Sequence, residues 1–405
     1  MATGRTGLTD SMNNFLKFYG DNHISPVDQN LHDLNRHFGQ RIGLYRSLGL
    51  GPLAFKGRDV LEVAPGSGHN AIVTASLGAR SLDLVEPNPS GFEKMVALFK
   101  AQSPLDPSVR FFNQSLEEYP VGATYDIVLC EGLLPGLNTQ DAMLPLLAHR
   151  VRPGGVLVVT CADAVSVFFE TLRRYLARLM LAGQGLDLDV RDDRAAAVMM
   201  LSEAFTPHLN TLKGMSRRVE DWVWDNLLNP AATSMASSCE FSMLKGLDRL
   251  GQDFYYYGSS PVFMADWSWY KAAPLDAQSF NQCYRQSYLL QRHNLLHTHE
   301  TGSIHTAQVE PLYRHCQQFS SMLEARSNDQ WRTISPDRVL LDLMPVRGVL
   351  EILESTDMGQ SIAALREYLQ LLDIGRCPTP AAVAAMGAFA SAFGRGQQYL
   401  SMMRA

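Results

Sequence analysis

The sequence predicts an α/β fold built on a doubly wound, mostly parallel sheet, with additional helical regions. Between residues 58 and 161, five short apolar runs alternate with helical stretches. The first run ends in the glycine-rich turn PGSGHN, and glycine or proline also occurs in later turns. This alternation is typical of parallel strands joined by helices that cover both faces of a sheet. The predicted core is therefore Rossmann-like.

The five apolar runs have the length of buried strands, and a turn or a helical stretch separates each from the next. They are DVLEVA (59–64), SLDLVEP (81–87), VRFFN (109–113), YDIVLCEG (125–132) and VLVVTC (156–161). The helical stretches among them are centred on AIVTASLG (71–78), residues 89–102 and residues 144–150. The order strand, helix, strand is the order that a parallel sheet requires.

The flanking segments are predicted to be mainly helical. Apolar residues recur at helical spacing between Leu31 and Leu48, and residues 164–245 show mostly helical patterns. An aromatic segment at 253–271 is broken by GSSP and predicts two strands around a turn. Beyond Pro274 the pattern is helical to the end. The predicted domains are a helical N-terminal cap (1–52), the core (53–163), a helical insertion (164–250), the last strand pair (251–272) and a helical C-terminal region (273–405).

Composition favours a cytoplasmic protein with reduced thiols. The chain has 405 residues, 35 basic and 41 acidic side chains, and a net charge of −6, which argues against a nucleic-acid partner. Its six cysteines form no CxxC pair. We expect no signal peptide and no integral membrane segment. The Ala-rich tail around residues 381–394 suits close packing or a homo-oligomer interface.

The chemistry is concentrated in VLEVAPGSGHN, residues 60–70. Gly66 and Gly68 allow a ligand to approach the backbone closely, because no Cβ intrudes. Their spacing also fits a dinucleotide fingerprint, so the turn alone leaves an NAD-dependent oxidoreductase open. Glu62 lies inside the first strand, where a carboxylate needs a partner. Glu86 ends the second strand, 18 residues after Gly68, where a carboxylate can accept ribose hydroxyls.

With these residues in place, segment 58–161 resembles the core of the class I S-adenosylmethionine-dependent methyltransferases. Their first motif typically runs VLDVGCGTG, and residues 60–68 here are VLEVAPGSG. Two positions differ from the family pattern. Ala64 replaces the first glycine, and Ser115 replaces an aspartate that often lies beside the adenine. The resemblance covers about a quarter of the chain and implies S-adenosylmethionine as the cofactor.

The resemblance also implies the parts played by individual residues. Glu62 would organise the methionine end of the cofactor, Glu86 would hold the ribose hydroxyls, and Ser115 with Leu116 would frame the adenine. Cys130 and Glu131 would line the end of the fourth strand. The complete predicted cofactor site is Glu62, Ala64, Gly66, Ser67, Gly68, Asn70, Glu86, Pro87, Ser115, Leu116, Cys130 and Glu131.

Methyl transfer needs the acceptor in line with the methyl group and sometimes needs a base. The candidates for a catalytic group are Glu131, whose place follows from the motif, and His37 and Tyr19 in the N-terminal cap. His293 and His297 are four residues apart, but no HExxH motif or cysteine pair accompanies them, so we predict no metal site. The helical segment 168–181 contains three arginines; we expect a packed helix rather than one on a membrane surface.

The leading hypothesis is a methyltransferase that acts on a small-molecule or glycan-type metabolite. An NAD-dependent oxidoreductase is the second enzyme hypothesis, but a Tyr-x-x-x-Lys pair is absent after the fourth strand. A degenerate methyltransferase fold that serves as a binding or scaffold protein is the third hypothesis. Ala64 and Ser115 favour it, whereas Glu62 and Glu86 speak against it.

Overall fold

The computed structural model describes residues 33–102, 108–120, 122–188, 190–215, 217–263, 270–271 and 276–405. Its strands are β1 (Asp59–Val63), β2 (Ser81–Val85), β3 (Val109–Phe112), β4 (Tyr125–Cys130), β5 (Val151–Cys161), β6 (Phe254–Ser260) and β7 (Gln398–Arg404). Its helices are α1 (Leu34–Ser47), α2 (Ala71–Ser76), α3 (Pro89–Gln102), α4 (Gln140–His149), α5 (Phe168–Gln184), α6 (Arg191–Leu209), α7 (Val219–Trp222), α8 (Pro230–Ser234), α9 (Met243–Leu250), α10 (Ala277–Gln291), α11 (Thr306–Ala325), α12 (Asn328–Arg332), α13 (Pro336–Asp342), α14 (Met344–Leu353), α15 (Gly359–Leu371), α16 (Pro380–Ala384) and α17 (Ala388–Ser391).

The described chain divides into two compact units. The sheet unit contains the described residues up to Cys161, together with Phe241–Tyr288 and Gln397–Ala405. The helical unit contains Ala162–Glu240 and Leu289–Gly396. The chain therefore leaves the sheet after β5 and returns to it twice, once for β6 and once for β7.

The sheet unit confirms the predicted α/β fold class. Its seven strands lie in the order β3-β2-β1-β4-β5-β7-β6. Strands β1 to β5 are parallel to one another, whereas β7 is antiparallel to both β5 and β6. All five apolar runs identified in the sequence become strands. The strand order reverses between β1 and β4: β2 and β3 lie on one side of this point, and β4 and β5 lie on the other. Parallel α/β sheets bind ligands at such a point.

The end of the chain differs from the sequence prediction. The expectation of helices from Pro274 to the terminus is wrong for Gln398–Arg404, which form β7 and pair with β5 and β6. The aromatic segment at 253–271 supplies β6, but the partner of β6 is β7 rather than the residues after the GSSP turn. Residues 264–269 in that segment lie outside the described residues.

One face of the sheet carries the core that supports the site. Val60, Leu84, Leu129 and Val158 are buried there and pack with Tyr45 of α1 and with residues of α2 and α3. Successive strand residues point to opposite faces. Glu62 is two residues from Val60 and pairs with Leu84 and Leu129, so it shares this face. A carboxylate is thus placed among apolar neighbours under helix α1.

The helical unit buries charged residues in its own interior. Helix α5 is buried along most of its length, including Arg173 and Arg174. Arg173 donates hydrogen bonds to the carbonyls of Ala392 and Phe389, at 2.7 and 2.9 Å. An arginine held in this way cannot serve a membrane surface, so α5 is an interior helix of its unit. None of the helices in the described ranges has the length and apolar content needed to cross a bilayer.

Candidate functional site: a nucleotide-cofactor loop and buried carboxylates

The turn between β1 and α2, residues 64–70, is called the glycine loop below. Gly66 and Gly68 have φ values of +61° and +79°, which L-residues rarely adopt. A Cβ at Gly68 would lie 2.6 Å from Cγ of Met95, so this position also needs glycine for packing against α3. Ala64 has φ of +55° and is the one described non-glycine residue with positive φ. The substitution of the family's first glycine is therefore accommodated with backbone strain.

Glu86 fixes the shape of the glycine loop. Its carboxylate accepts the backbone N–H of Gly66 at 2.7 Å and that of Asn88 at 2.8 Å. Burial raises the pKa of Glu86 to about 7, against the opposing effect of these two hydrogen bonds. A carboxylate has about four lone-pair sites, so two accepted bonds leave capacity for ribose hydroxyls.

Glu62 is 2% exposed and lies at the carboxyl end of β1. Burial, together with the charge of Glu131, raises its pKa to about 8, although Arg41 and a hydrogen bond from Thr74 act in the other direction. Thr74 is fully buried in α2. At neutral pH these surroundings favour a protonated Glu62, and a cation placed beside it would favour the ionised form.

Glu131 follows β4 and forms an ion pair with Arg41 of α1. Arg41 Nη2 lies 2.6 Å from Glu131 Oε1, and the two side chains are 7% and 9% exposed. The same guanidinium nitrogen donates to the Tyr45 hydroxyl at 2.7 Å. Burial alone would lower the pKa of Arg41, but Glu131 and Tyr45 hold it well above its ordinary value. Arg41 is thus a permanent cation between β4 and α1.

Two buried carboxylate oxygens in this site have no hydrogen-bond partner among the described residues. They are Oε2 of Glu62 and Oε2 of Glu131, called the open oxygens below. An unpaired acceptor in a buried position is costly unless a ligand supplies the donor. The amino acid end of S-adenosylmethionine carries an ammonium group, which is a donor of the required charge. The residues present therefore fit this cofactor.

The remaining predicted cofactor residues lie in the same unit. Asn113 donates its side-chain N–H to the backbone carbonyl of Glu86 at 2.9 Å and ties β3 to β2. The Ser115 N–H is bonded to Glu118, at 3.1 Å, and Leu116 is buried. The Cys130 thiol is buried as well, and its pKa is raised by burial and by the neighbouring Glu131 and Glu62. Ser67 is buried, and Ala64, Asn70 and Pro87 are half-buried.

Two of the three catalytic candidates are placed by the structure. His37 is buried, and its Nε2 lies 2.8 Å from the carbonyl oxygen of His69 in the glycine loop. Burial lowers the pKa of His37, although this hydrogen bond acts in the opposite direction. Glu131 lies within the Arg41 ion pair described above. Tyr19 lies outside the described residues.

Sequence reasoning missed Arg41 and assigned Tyr45 only to the apolar face of its helix. His37, Arg41 and Tyr45 are spaced four residues apart and are the buried residues of α1. This spacing places them on one helix face. The missed signal was the spacing of four residues between these three polar side chains, beside the apolar row of the same helix.

The histidines between 293 and 305 have local backbone partners. His293 Nε2 lies 2.8 Å from the carbonyl of Gly302, and His297 Nδ1 accepts the N–H of His299 at 3.1 Å. His305 caps helix α11 by accepting the N–H of Ala307. Within the described ranges, no three His, Cys, Asp or Glu side chains are grouped as metal ligands would be.

A family model described as "Methyltransferase domain" matches residues 60–155. No curated protein matches the chain.

Solved structures similar to the chain include three methyltransferases. NodS, an N-methyltransferase from Bradyrhizobium japonicum WM9 in complex with S-adenosyl-L-homocysteine, is 16% identical; the match covers 34% of this chain and 65% of NodS, with a TM-score of 0.27. Magnesium protoporphyrin IX methyltransferase (ChlM) from Synechocystis PCC 6803 is 18% identical over 38% of this chain and 72% of its own, with a TM-score of 0.27. The CcbJ methyltransferase from Streptomyces caelestis is 24% identical over 27% and 45%, with a TM-score of 0.24. The chain spans about half the length of several such structures.

Proposed function

We propose that the chain is an S-adenosylmethionine-dependent methyltransferase that methylates a small-molecule or glycan-type metabolite, and the match of residues 60–155 to a methyltransferase-domain model supports this. The observation that carries the proposal is the grouping of the glycine loop, Glu86 and the two open oxygens at the carboxyl ends of β1, β2 and β4. The glycine loop and Glu86 suit a nucleotide, and the two open oxygens suit the ammonium group of an amino acid.

The chain's own residues divide the work. Glu86 shapes the glycine loop and accepts the ribose hydroxyls, while Ser115 and Leu116 border the adenine. Glu62 receives the ammonium group. When bound, S-adenosylmethionine supplies an electrophilic methyl group on a sulfonium, which an acceptor lone pair attacks as the carbon–sulfur bond breaks.

His37 is the proposed acceptor of the proton that the substrate loses. Its Nε2–H donates to the His69 carbonyl, so Nδ1 of the neutral ring is the acceptor. The lowered pKa of His37 keeps that ring neutral at neutral pH. Glu131 is less suited to this part because one of its oxygens is already paired with Arg41.

The charges favour an uncharged or amine-bearing acceptor. The chain has a net charge of −6, and the described residues of the site include three carboxylates, Glu62, Glu86 and Glu131, and one guanidinium, Arg41. A polyanion such as RNA or DNA would be repelled by both.

We also propose that the C-terminal helices serve a homo-oligomer interface, which sedimentation analysis tests directly.

The strand order speaks against the oxidoreductase alternative. Dinucleotide-binding sheets have the order 3-2-1-4-5-6, whereas this sheet has an antiparallel β7 between β5 and β6.

The decisive experiment is calorimetric titration with S-adenosylhomocysteine, with NADH in parallel. We expect binding of S-adenosylhomocysteine alone. Binding of neither would favour the scaffold hypothesis, and binding of NADH alone would overturn the proposal.

The ribose placement has a test of its own. Glu86→Gln should weaken S-adenosylhomocysteine binding by about 1.5–3 kcal/mol, because a charged acceptor is lost. Glu93→Gln on the exposed side of α3 is the matched control and should leave binding unchanged. Equal affinities for the two variants would contradict the part given to Glu86.

A further inference from the structure

We infer that Arg41 and Tyr45 of helix α1 are positioning residues of the methyl-donor site. With Thr74, they hold Glu131 and Glu62 so that the two open oxygens are presented to the ammonium group of the cofactor. This inference rests on the proposed function, and it assigns a part to a helix outside the segment that resembles methyltransferases.

The first step is the connection from α1 to β4. Arg41 binds Oε1 of Glu131 at 2.6 Å, while Oε2 has no partner among the described residues. An ion pair at one oxygen restricts rotation of the carboxylate, since the buried guanidinium is itself held by Tyr45. Glu131 is therefore oriented from one side, with its other oxygen left for a ligand.

The second step is a chain of hydrogen bonds from α1 to β1. Arg41 donates to the Tyr45 hydroxyl, and that hydroxyl lies 3.2 Å from the Thr74 hydroxyl. Thr74 in turn donates to the Glu62 carboxyl. The Tyr45 hydroxyl also lies 3.4 Å from Glu131 Oε1, so it connects the Arg41–Glu131 ion pair to Thr74. Tyr45 is buried, so its hydroxyl remains protonated and able to donate.

The third step concerns charge. Glu62 and Glu131 lie near the single cation Arg41, and Tyr45 and Cys130 are the other titratable groups that interact with Glu62. One guanidinium cannot neutralise two ionised carboxylates, so a second cation is required for both to be charged. The ammonium group of the cofactor's amino acid end can supply it, and its three N–H donors can reach two acceptors.

The test measures discrimination between two ligands rather than affinity alone. The probes are S-adenosylhomocysteine and its analogue in which hydrogen replaces the α-amino group, titrated calorimetrically into the full chain. The wild type should prefer the amino ligand strongly. Tyr45→Phe and Thr74→Val should each reduce that preference about tenfold, while binding of the deaminated analogue changes little.

Matched variants separate positioning from folding. Phenylalanine retains the packing of Tyr45 against Phe55, whose ring centroid lies 5.1 Å away. Thr74→Ser keeps the hydroxyl and should retain the wild-type preference, and Arg46→Ala on the exposed side of α1 should do so as well. An unchanged preference in Tyr45→Phe and Thr74→Val overturns this inference alone. Failure of the wild type to bind S-adenosylhomocysteine overturns the proposed function, and this inference with it.

Discussion

Asp342 in the helical unit and Glu62 in the sheet unit are both buried carboxylates, but their surroundings differ. Asp342 accepts hydrogen bonds from Arg326 at 2.8 Å and Tyr175 at 2.9 Å, and it also pairs with Arg338 at 3.0 Å. Glu62 has Thr74 as a donor and retains an open oxygen. A buried carboxylate with a full set of donors stabilises a fold, whereas one that lacks a donor is available to a ligand.

The same contrast holds for a second pair of residues. Asp163 in the helical unit accepts the N–H groups of Val165 and Ser166 at one oxygen and Arg292 at the other. Glu131 in the sheet unit has Arg41 at one oxygen and an open oxygen on the other side. Within these two pairs, the carboxylates differ in their hydrogen-bond partners and not in their burial.

The largest expected effect is on the helical unit. Asp342→Asn should lower the free energy of unfolding by about 3–5 kcal/mol, because Arg326, 5% exposed, is left as a buried cation without its charge partner. Urea unfolding measures the change. Glu354→Gln breaks the exposed pair with Arg366 and should cost less than about 0.5 kcal/mol. Weaker S-adenosylhomocysteine binding by the folded Asp342→Asn protein would contradict the purely structural role given to Asp342.

The next largest effect is on ligand affinity. Glu62→Gln should weaken S-adenosylhomocysteine binding by about 1.5–3 kcal/mol, since the ammonium loses a charged acceptor. Unfolding should show no loss of stability, because a buried carboxylate that lacks a full set of donors is removed. Asp59→Asn, at the other end of β1, is the control and should leave affinity unchanged. A Glu62→Gln protein with normal affinity and reduced stability would place Glu62 with Asp342 as a structural carboxylate.

The sequence predicts the features that depend on local patterns and misses those that depend on contacts between distant residues. The five parallel strands were predictable because each is a continuous apolar run between turns. QYLSMMR, which forms β7, was not: its apolar residues suit a helix as well as a strand, and its partners are distant in sequence. The positions of Glu62 near the end of β1 and of Glu86 after β2 were predictable because the motif places them there. Arg41 was missed because its partner lies 90 residues away, and that contact exists only after α1 packs on the sheet.

A pH dependence sharpens the comparison further. Glu62 has a pKa of about 8 in the folded chain and about 4.5 when unfolded, so between these values the folded state keeps a proton that the unfolded state releases. Its contribution to stability is complete below pH 4.5 and falls by about 1.4 kcal/mol per pH unit up to pH 8. The difference in unfolding free energy between wild type and Glu62→Gln should follow this slope. If the difference in unfolding free energy between wild type and Glu62→Gln does not vary between pH 5 and 8, the raised pKa of Glu62 is contradicted.

The smallest expected effect concerns Ala64, which has a strained backbone conformation and lies in the glycine loop. A left-handed alanine costs about 1–2 kcal/mol in the folded chain, whereas glycine costs about 0.4–1 kcal/mol through the entropy of the unfolded chain. Ala64→Gly should therefore stabilise the protein by up to about 1 kcal/mol in thermal unfolding. Ala79→Gly, in the loop after α2 and without positive φ, carries the entropic cost and also loses a methyl group packed on the core, so it should destabilise. A loss of stability in both variants would mean that Ala64 gains more from the contacts of its methyl group than it loses to strain, and the loop would then depend on alanine as a structural residue.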